Sequence, residues 1–309
     1  MLSVLLPAPI VALIGFLVLG ASLIAHFLAF VPFMLLKLLI PVPSVRNLIT
    51  DTLIRIAIHW VYSYKVLFRL IYPINWDIQI SDELDHRRSY LLVCNHQSWL
   101  DIPVLFDVFH GRTPFPRFFL KRELMYIPVI GLACWAMEFP FMKRYSREQL
   151  AENPELARED LAVTRKACRR FRKRPATVVN FLEGTRFTEA KRVNRQSPYR
   201  NLLRPKAGGI AYALDTMGKQ VAGIIDVTIA YRPSKYPPFW SFLLGEQCNL
   251  RVHVDVLPVP ESLKDGDYLD DPAFREEVQL WVNRLWQRKD DRLDRLQEHP
   301  PAQTAPVSG

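Results

Sequence analysis

Apolar residues fill the beginning of the chain almost without interruption. Residues 1–36 contain no Lys, Arg, Asp or Glu. Within them, residues 11–31 form an apolar run of the roughly 20 residues that a helix needs to cross a bilayer. The run is too long for a cleaved signal peptide, so it predicts an uncleaved membrane helix, with a buried core helix as the alternative. Lys37 and Arg46 follow the run, and the positive-inside rule therefore puts the rest of the chain in the cytoplasm.

A second apolar segment follows the first and is mixed with basic residues. We expect Pro32, Pro41 and Pro43 to break the first run. Residues 48–72 are largely apolar but include His59 and three basic residues, a composition that predicts an amphipathic helix at the membrane interface. The two helices could cross the bilayer or form a re-entrant hairpin, and the sequence does not separate these arrangements.

Beyond about residue 75, predicted strands and helices alternate. Short apolar runs rich in β-branched residues predict strands at 89–94, 177–182, 223–230 and 250–256. Helical periodicity predicts helices at 161–171, 209–217 and 272–296. Strands that alternate with helices indicate an α/β sandwich with a central sheet.

The chain of 309 residues suits one domain with an appendage. It divides into membrane-anchoring helices at 1–72, a folded domain at 73–298 and a Pro-rich polar tail at 299–309, which we expect to be disordered. Half of the residues are hydrophobic and 23% are charged, which excludes a disordered protein and a polytopic transporter. The four cysteines form no C-x-x-C pair, so neither a zinc site nor a disulfide framework is indicated.

Positive charge is concentrated in the middle of the chain. The net charge is 40 − 31 = +9, whereas residues 140–206 alone contain 18 basic and 7 acidic residues, a net of 18 − 7 = +11. Part of this charge lies on one face of the helix predicted at 161–171, which is either a solvated surface or a contact for anionic lipid headgroups. The basic residues are not interleaved with aromatic ones, so we expect no nucleic acid partner.

A candidate general base follows the first of these strands, in the sequence Asn-His-Gln-Ser-Trp-Leu-Asp at 95–101. The turn between a strand and the next helix commonly carries active residues in α/β proteins. A neutral imidazole at His96 can take a proton from a hydroxyl group. Asp101 can orient that ring if His96 lies in the turn and Asp101 in the first helical turn. The pattern from Ser98 to Asp101 is also typical of a helix capping pair, and the two roles are compatible.

A candidate anion site directly follows the strand predicted at 177–182. Its residues are Glu183, Gly184, Thr185 and Arg186. Glycine permits a tight turn, and arginine can bind a phosphate with several donors, although an ordinary strand-to-loop turn is the alternative. We expect the glutamate to orient the arginine or a substrate hydroxyl. Further basic residues that could bind an anion are Lys143, Arg144 and Lys206.

Together these motifs resemble a known family. N-H-x-S-x-x-D and E-G-T-R occur in this order, each after a predicted strand, with F-M-K-R between them and P-K-A-G-G after them. The combination resembles the lysophospholipid and glycerophosphate acyltransferase family over roughly residues 85–255, and within it a group of bacterial inner-membrane enzymes. The resemblance implies a mostly parallel central sheet and a domain on the cytoplasmic face of the bacterial inner membrane.

The resemblance also implies a reaction. A fatty acyl group would move from a thioester of coenzyme A or acyl carrier protein to the sn-2 hydroxyl of lysophosphatidic acid, giving phosphatidic acid. His96 would be the base and Asp101 would orient it, without a metal or a cofactor. Arg186, Thr185, Gly184 and Glu183 would bind the phosphate, with Lys143, Arg144 and Lys206 as secondary ligands. The expected partners are both substrates, an anionic membrane surface and, for one donor, acyl carrier protein.

The residues leave two alternatives open. The acceptor could be another lysolipid, as in phospholipid remodelling, and Arg186→Ala should then cost little if that acceptor lacks a phosphomonoester. The chain could instead be a non-catalytic membrane scaffold that uses its basic helix face. In that case His96→Ala should leave its function intact.

Overall fold

The computed structural model describes residues 2–72, 74–143, 145, 152–153, 155–169, 171, 174–246, 249–264 and 266–298. The tail predicted at 299–309 and Arg144 lie outside these residues. The helices are α1 (Leu2–Leu5), α2 (Ala8–Leu39), α3 (Pro43–Ile71), α4 (Asp101–Phe109), α5 (Ile130–Ala136), α6 (Glu155–Arg169), α7 (Glu189–Asn194), α8 (Gly208–Met217), α9 (Pro238–Leu243) and α10 (Pro272–Glu298). The strands are β1 (Asn75–Ile80), β2 (Ser89–Cys94), β3 (Pro116–Phe118), β4 (Leu120–Lys121), β5 (Phe141–Met142), β6 (Thr177–Phe181), β7 (Val221–Ala230) and β8 (Asn249–Leu257).

The two apolar segments form an antiparallel pair of helices, α2 and α3. α2 passes through Pro32, so the expected break at this proline is wrong. A proline inside a helix costs about 3 kcal/mol, and the burial of Phe30 and Met34 on either side of it stabilises the helix there. α2 ends shortly before Pro41, and Pro43 begins α3, where a missing N–H is harmless. Of the described helices, α2 alone is long and apolar enough to cross a membrane, by length and composition.

This helical hairpin contacts the domain at both of its ends. Near the C-terminal end of α2, the buried Nζ of Lys37 donates to the carbonyl oxygen of Ala136 at 2.6 Å. Near the other end, Gly15 makes room for Tyr72, because a Cβ atom at residue 15 would be 2.4 Å from the tyrosine hydroxyl. That hydroxyl donates to the carbonyl oxygen of Leu243 in α9 at 2.9 Å. α2 therefore lies along the domain.

A six-stranded sheet forms the centre of the domain, in the order β1-β8-β7-β2-β6-β3. Neighbouring strands are parallel except for β7 and β8, which are antiparallel. The prediction of an α/β sandwich with a mostly parallel central sheet is confirmed. The predicted strands correspond to β2, β6, β7 and β8, and the predicted helices to α6, α8 and α10. A separate pair of short strands, β4 and β5, is also parallel.

Helices cover both faces of the sheet. Successive side chains of a strand point to opposite faces. In β2, Leu92 and Cys94 therefore pack with the helical hairpin and α4, whereas Leu91 and Val93 pack with α8 and α10. Burial of one such aliphatic side chain stabilises the fold by roughly 1.5–3 kcal/mol. The helical hairpin thus shares its core with the sheet.

Three loops meet at one edge of this sheet. β2, β6 and β7 are parallel neighbours, and Cys94 at the end of β2 is in register with Phe181 of β6 and Val227 of β7. The carboxyl ends of the three strands consequently lie together, and ligands of open α/β sheets bind at this edge. Both motifs found in the sequence begin here.

Candidate active site

An imidazole lies beside a carboxylate in the loop that follows β2. His96 is in the turn and Asp101 is the first residue of α4, as the predicted geometry requires. The Nδ1 atom of His96 is 2.7 Å from Oδ2 of Asp101. Because an ionised carboxylate can only accept, Nδ1 carries the proton and the free lone pair is on Nε2. The histidine side chain is 15% exposed, which leaves the ring accessible to a substrate.

Further donors fix the carboxylate of Asp101, which is buried. Its Oδ2 accepts the backbone N–H groups of Gln97 at 2.7 Å and Ser98 at 2.9 Å. Its Oδ1 accepts the hydroxyl of Tyr231 at 2.6 Å. Burial, and then the charge of Asp101, raise the pKa of Tyr231 well above its usual value, so this hydroxyl keeps its proton and donates. The carboxylate therefore has one orientation.

Ser98 and Asp101 form the reciprocal bonds of the predicted capping pair. The hydroxyl of Ser98 accepts the N–H of Leu100 at 3.1 Å, and the carboxylate of Asp101 reaches back to the N–H of Ser98 at 2.9 Å. The pair lies in the turn that leads into α4, whose regular bonding begins at Asp101. The same carboxylate also contacts His96, so the two predicted roles occur together.

The loop after β6 holds the base from the other side. The rings of His96 and Phe181 are stacked, with centroids 4.0 Å apart. The backbone N–H of His96 donates to Oε1 of Glu183 at 2.8 Å, and its carbonyl oxygen accepts the N–H of Phe187 at 2.6 Å. The two motifs found in the sequence are therefore bonded directly to each other at the residue that carries the base.

Glu183 supports this loop from inside the protein. It is fully buried, and its second oxygen accepts the N–H of Leu203 at 2.9 Å. Burial raises the pKa of Glu183 to about 8, and the two backbone donors act in the opposite direction. The expectation that Glu183 binds the phosphate or orients the arginine is corrected, because both of its oxygens are occupied by backbone N–H groups.

The turn that follows Glu183 brings an arginine against the turn that contains His96. Gly184 has φ +68°, a conformation that side chains with a Cβ atom rarely adopt. The guanidinium of Arg186 lies 4.2 Å from the ring centroid of Trp99, which belongs to the turn that contains His96. The aliphatic part of Lys206 lies against Gly184, so this predicted residue is also brought to the turn. A cation over an aromatic ring is attracted by about 0.5–2 kcal/mol.

The block between the two motifs contributes less. Lys143 forms an ion pair with Glu159 of α6 at 3.0 Å, and its hydrogen bonds to Tyr145 and Glu159 raise the pKa of this ammonium. This exposed carboxylate would compete with the anion that Lys143 is predicted to bind. Arg144 lies outside the described residues.

These side chains can activate a hydroxyl group on a molecule that also carries an anionic group. Nε2 of His96 accepts a proton, Asp101 stabilises the imidazolium that forms, and Arg186 supplies a positive charge nearby. Comparison with known proteins agrees with this chemistry, since a model of the acyltransferase family matches residues 75–232, just over half of the chain.

The chain belongs to the acyltransferase family.

Several proteins resemble this acyltransferase-family chain. A 1-acyl-sn-glycerol-3-phosphate acyltransferase 2 of Brassica oleracea is 28% identical over 271 residues, covering 81% of this chain and 63% of that protein. A mouse 1-acyl-sn-glycerol-3-phosphate acyltransferase gamma is 28% identical over 180 residues, covering 55% of this chain and 43% of that protein. Mouse lysocardiolipin acyltransferase 1 is 24% identical over 215 residues, covering 66% of this chain and 53% of that protein. The chain thus spans less than two thirds of the length of these relatives.

One solved structure is also similar. The 1-acyl-sn-glycerophosphate acyltransferase of Thermotoga maritima has a TM-score of 0.49 and 17% sequence identity, and the match covers 93% of this chain and 98% of that one.

Four residues around the base were not singled out from the sequence. The amide of Asn95 bonds both main-chain groups of Ile229, at 2.9 Å each, and so fixes the end of β2 to β7. The others are Phe181, Trp99 and Tyr231. Tyr231 carried a usable signal, because it directly follows a predicted strand. Its partner Asp101 is 130 positions away in the chain, and only the sheet order brings the two together.

Proposed function

We propose that this chain is a membrane-associated O-acyltransferase that moves a fatty acyl group from a thioester to the sn-2 hydroxyl of lysophosphatidic acid, giving phosphatidic acid. The single observation that carries the proposal is the bond between His96 and the buried Asp101, which is 2.7 Å long. Arg186 of the neighbouring loop lies over the ring of Trp99, in the turn that contains His96. Membership of the acyltransferase family and the names of its relatives support the same reaction.

The reaction proceeds by direct transfer. Nε2 of His96 takes the proton of the sn-2 hydroxyl as its oxygen attacks the thioester carbonyl carbon. Asp101 stabilises the imidazolium, which keeps the ring in place with its Nδ1 bonded to Oδ2. The carbon–sulfur bond then breaks, and the departing thiolate takes the proton back from Nε2. The thioester is already activated, and the donor is a thioester of coenzyme A or of acyl carrier protein.

The acceptor is held by its phosphate. Arg186 is the main ligand, and it is positioned by the ring of Trp99 and by the turn at Gly184. A guanidinium binds phosphate with a planar set of donors, which orients the acceptor as well as attracting it. Lys206, which lies against the same turn, adds a second positive charge.

The helical hairpin holds the site at the membrane. Its exposed side chains are largely apolar, including Leu13, Phe16, Ile24 and Leu35. Both ends of α2 contact the domain, through Lys37 and around Gly15, which favours a helix that lies along the domain over one that leaves it to cross a bilayer. We therefore propose that the hairpin lies in one leaflet, at the cytoplasmic face of a bacterial inner membrane, with an anionic surface beneath the domain.

A second candidate function is the acylation of another lysolipid. The similarity to lysocardiolipin acyltransferase 1, whose name indicates a lysolipid with phosphodiester groups, favours it. It uses the same base and the same direct transfer, and only the headgroup of the acceptor differs.

The first experiment is an acyl-transfer assay in detergent micelles with lysophosphatidic acid and lysophosphatidylcholine as acceptors. We expect thiol release with lysophosphatidic acid, and a loss of roughly 10²–10⁴-fold in His96→Ala, since a general base contributes about that much. His253→Ala is the matched control, because His253 also pairs with a carboxylate, Asp255, at 3.0 Å but lies in β8. Circular dichroism checks that both variants are folded.

The outcomes separate the candidates. Turnover with the choline lipid alone would move the function to remodelling. A folded His96→Ala variant with full activity would refute the role of the base. No turnover of the wild type with any lysolipid and either donor would favour the scaffold function.

A further inference from the structure

Lys191 and the three basic residues whose charges act on it form what we call the basic cluster: Lys121, Arg186, Lys191 and Arg195. They come from β4, from the turn after β6, from α7 and from the residue that ends α7. Arg186, Arg195 and Lys121 all lie close enough to Lys191 to act on its charge. Neither motif of the sequence contains Lys121, Lys191 or Arg195.

Lys191 is the member of the basic cluster with the best-defined position. Its Nζ donates to Oγ1 of Thr185 at 3.0 Å and to the carbonyl oxygen of Arg186 at 2.9 Å. An ammonium has three donors, so among the described residues one N–H of Lys191 is left for a ligand. The two bonds hold that N–H beside the main chain of Arg186.

Among the residues that the structure describes, no member of the basic cluster forms an ion pair with a carboxylate. The contrast is the neighbouring Arg192, which pairs with Glu189 at 2.5 Å. The buried Glu183 is an acid whose charge acts on Lys191, and both of its oxygens already accept backbone N–H groups. Like charges held together in this way attract an anion of high charge.

The protonation of Lys191 responds to these neighbours. Burial, then Arg195 and Arg186, lower the pKa of Lys191, Glu183 raises it, and Lys121 lowers it further. A bound dianion would oppose every one of the lowering charges. The electrostatic attraction between the basic cluster and a bound anion is therefore stronger for a dianion than for a monoanion.

We propose that Lys191 is a specificity-determining residue of the acceptor site, which uses its remaining N–H and its charge to favour a phosphomonoester over a phosphodiester. This inference rests on the proposed acyl transfer and concerns the headgroup that the same site accepts. A phosphomonoester carries a charge of about −1.5 to −2 at neutral pH, whereas a phosphodiester carries only one negative charge. Loss of one cation from the basic cluster therefore weakens the binding of a phosphomonoester more than the binding of a phosphodiester.

The test compares two acceptors in the same micelles, lysophosphatidic acid and lysophosphatidylglycerol, for the wild type and Lys191→Met. We expect kcat/KM for the phosphomonoester to fall roughly 10- to 100-fold, as for the loss of a hydrogen bond to a charged group. For the phosphodiester acceptor, kcat/KM should change less than about 3-fold. The KM for the acyl donor should not change. Arg192→Met is the matched control, because its guanidinium is paired with Glu189, and it should keep the preference.

Two further arms identify what is recognised. Inorganic phosphate should compete with lysophosphatidic acid more weakly in Lys191→Met than in the wild type if the phosphate group itself is bound. Because the neighbours lower the pKa of Lys191, the wild-type preference should decline at alkaline pH, and Lys191→Arg, which stays charged, should keep it there.

The results decide between charge recognition and support of the turn. An equal fall with both acceptors would show that Lys191 only holds Thr185 and the main chain of Arg186, and would overturn the inference. An unchanged ratio in Lys191→Met would overturn it as well. Absence of transfer by the wild type with every acceptor would instead refute the proposed function, and the inference with it.

Discussion

The carboxylate of Asp101 receives four hydrogen bonds, and one of them comes from a residue that neither motif contains. The hydroxyl of Tyr231 is a buried donor to the oxygen that does not contact His96. In Tyr231→Phe that oxygen loses its donor, which costs about 1–3 kcal/mol of unfolding free energy. The carboxylate also becomes free to rotate away from the base, so kcat should fall, but by less than the roughly 10²-fold minimum for His96→Ala.

This expectation is tested by measuring the thermal unfolding and the initial rates of purified Tyr231→Phe and His96→Ala. Tyr199→Phe is the control, because Tyr199 is also buried but its hydroxyl is 3.5 Å from the carbonyl oxygen of Asn283, in α10. It should lose stability without a change in kcat. Wild-type kcat in Tyr231→Phe would contradict a positioning role.

Glu183 gives the protein a pH-dependent stability. Burial raises its pKa to about 8 from the usual 4.5. A carboxyl group whose pKa is higher in the folded than in the unfolded protein stabilises the fold fully below the unfolded value, and this contribution is lost as the pH rises through the folded value. Between about pH 4.5 and 8 the melting temperature of the wild type should therefore fall relative to that of Glu183→Gln. If the melting temperatures of the wild type and Glu183→Gln changed with pH in the same way over this range, the raised pKa of Glu183 would be contradicted.

At the scale of elements, α2 is joined to α5 by a buried charge. Lys37 donates to Oγ1 of Thr50 at 2.7 Å, to the carbonyl oxygen of Ala136 at 2.6 Å and to Glu138 at 3.2 Å. Lys37→Met removes a buried cation from its partners, and such a change costs about 3–5 kcal/mol. Chemical denaturation in detergent measures the loss. Arg174→Met, which breaks the half-exposed pair with Asp51 of α3, should cost less than about 1 kcal/mol. Equal losses of unfolding free energy in Lys37→Met and Arg174→Met would show that burial of the Lys37 charge does not matter for stability.

Elements buried on both faces were predictable from the sequence, and edge elements were not. β2 and β6 appear as continuous apolar runs because helices cover both of their faces. β1 is an edge strand with the mixed sequence NWDIQI, and β3 has three residues, too few for a readable period. The break expected at Pro32 does not occur because Phe30 and Met34 are buried on either side of it, and their contacts offset the local cost of the proline.

The site was predictable where it is local in the chain. His96 and Asp101 are five positions apart, and one turn determines their geometry. The contacts of His96 with Glu183 and Phe187 depend instead on the register between β2 and β6. The sequence predicts a ligand role for Glu183 because this residue stands close to Arg186 in a strongly basic segment, whereas its burial follows from contacts with Leu203 and the base.

For the whole molecule, the position of α2 predicts how deep it lies in the membrane. Leu13, Ile24 and Leu35 are each more than half exposed and lie on one face of the helix, 11 residues apart. From the first to the third, the helix rises about 33 Å. Spin labels at these positions, in a variant without native cysteines, should report the same depth in vesicles. Depths that differ by about 30 Å, the thickness of the hydrocarbon core, would show that α2 spans the bilayer.

The double attachment of His96 to the loop after β6 has a consequence for engineering. The N–H of His96 donates to Glu183 and its carbonyl oxygen accepts the N–H of Phe187, so the backbone of the base is bonded to the loop that we propose binds the headgroup. A graft that exchanges only this loop for that of a relative would also replace the two groups that hold the backbone of His96. Transplants between relatives should therefore succeed only when both loops come from the same parent, and acceptor preference should be inherited as a two-loop unit.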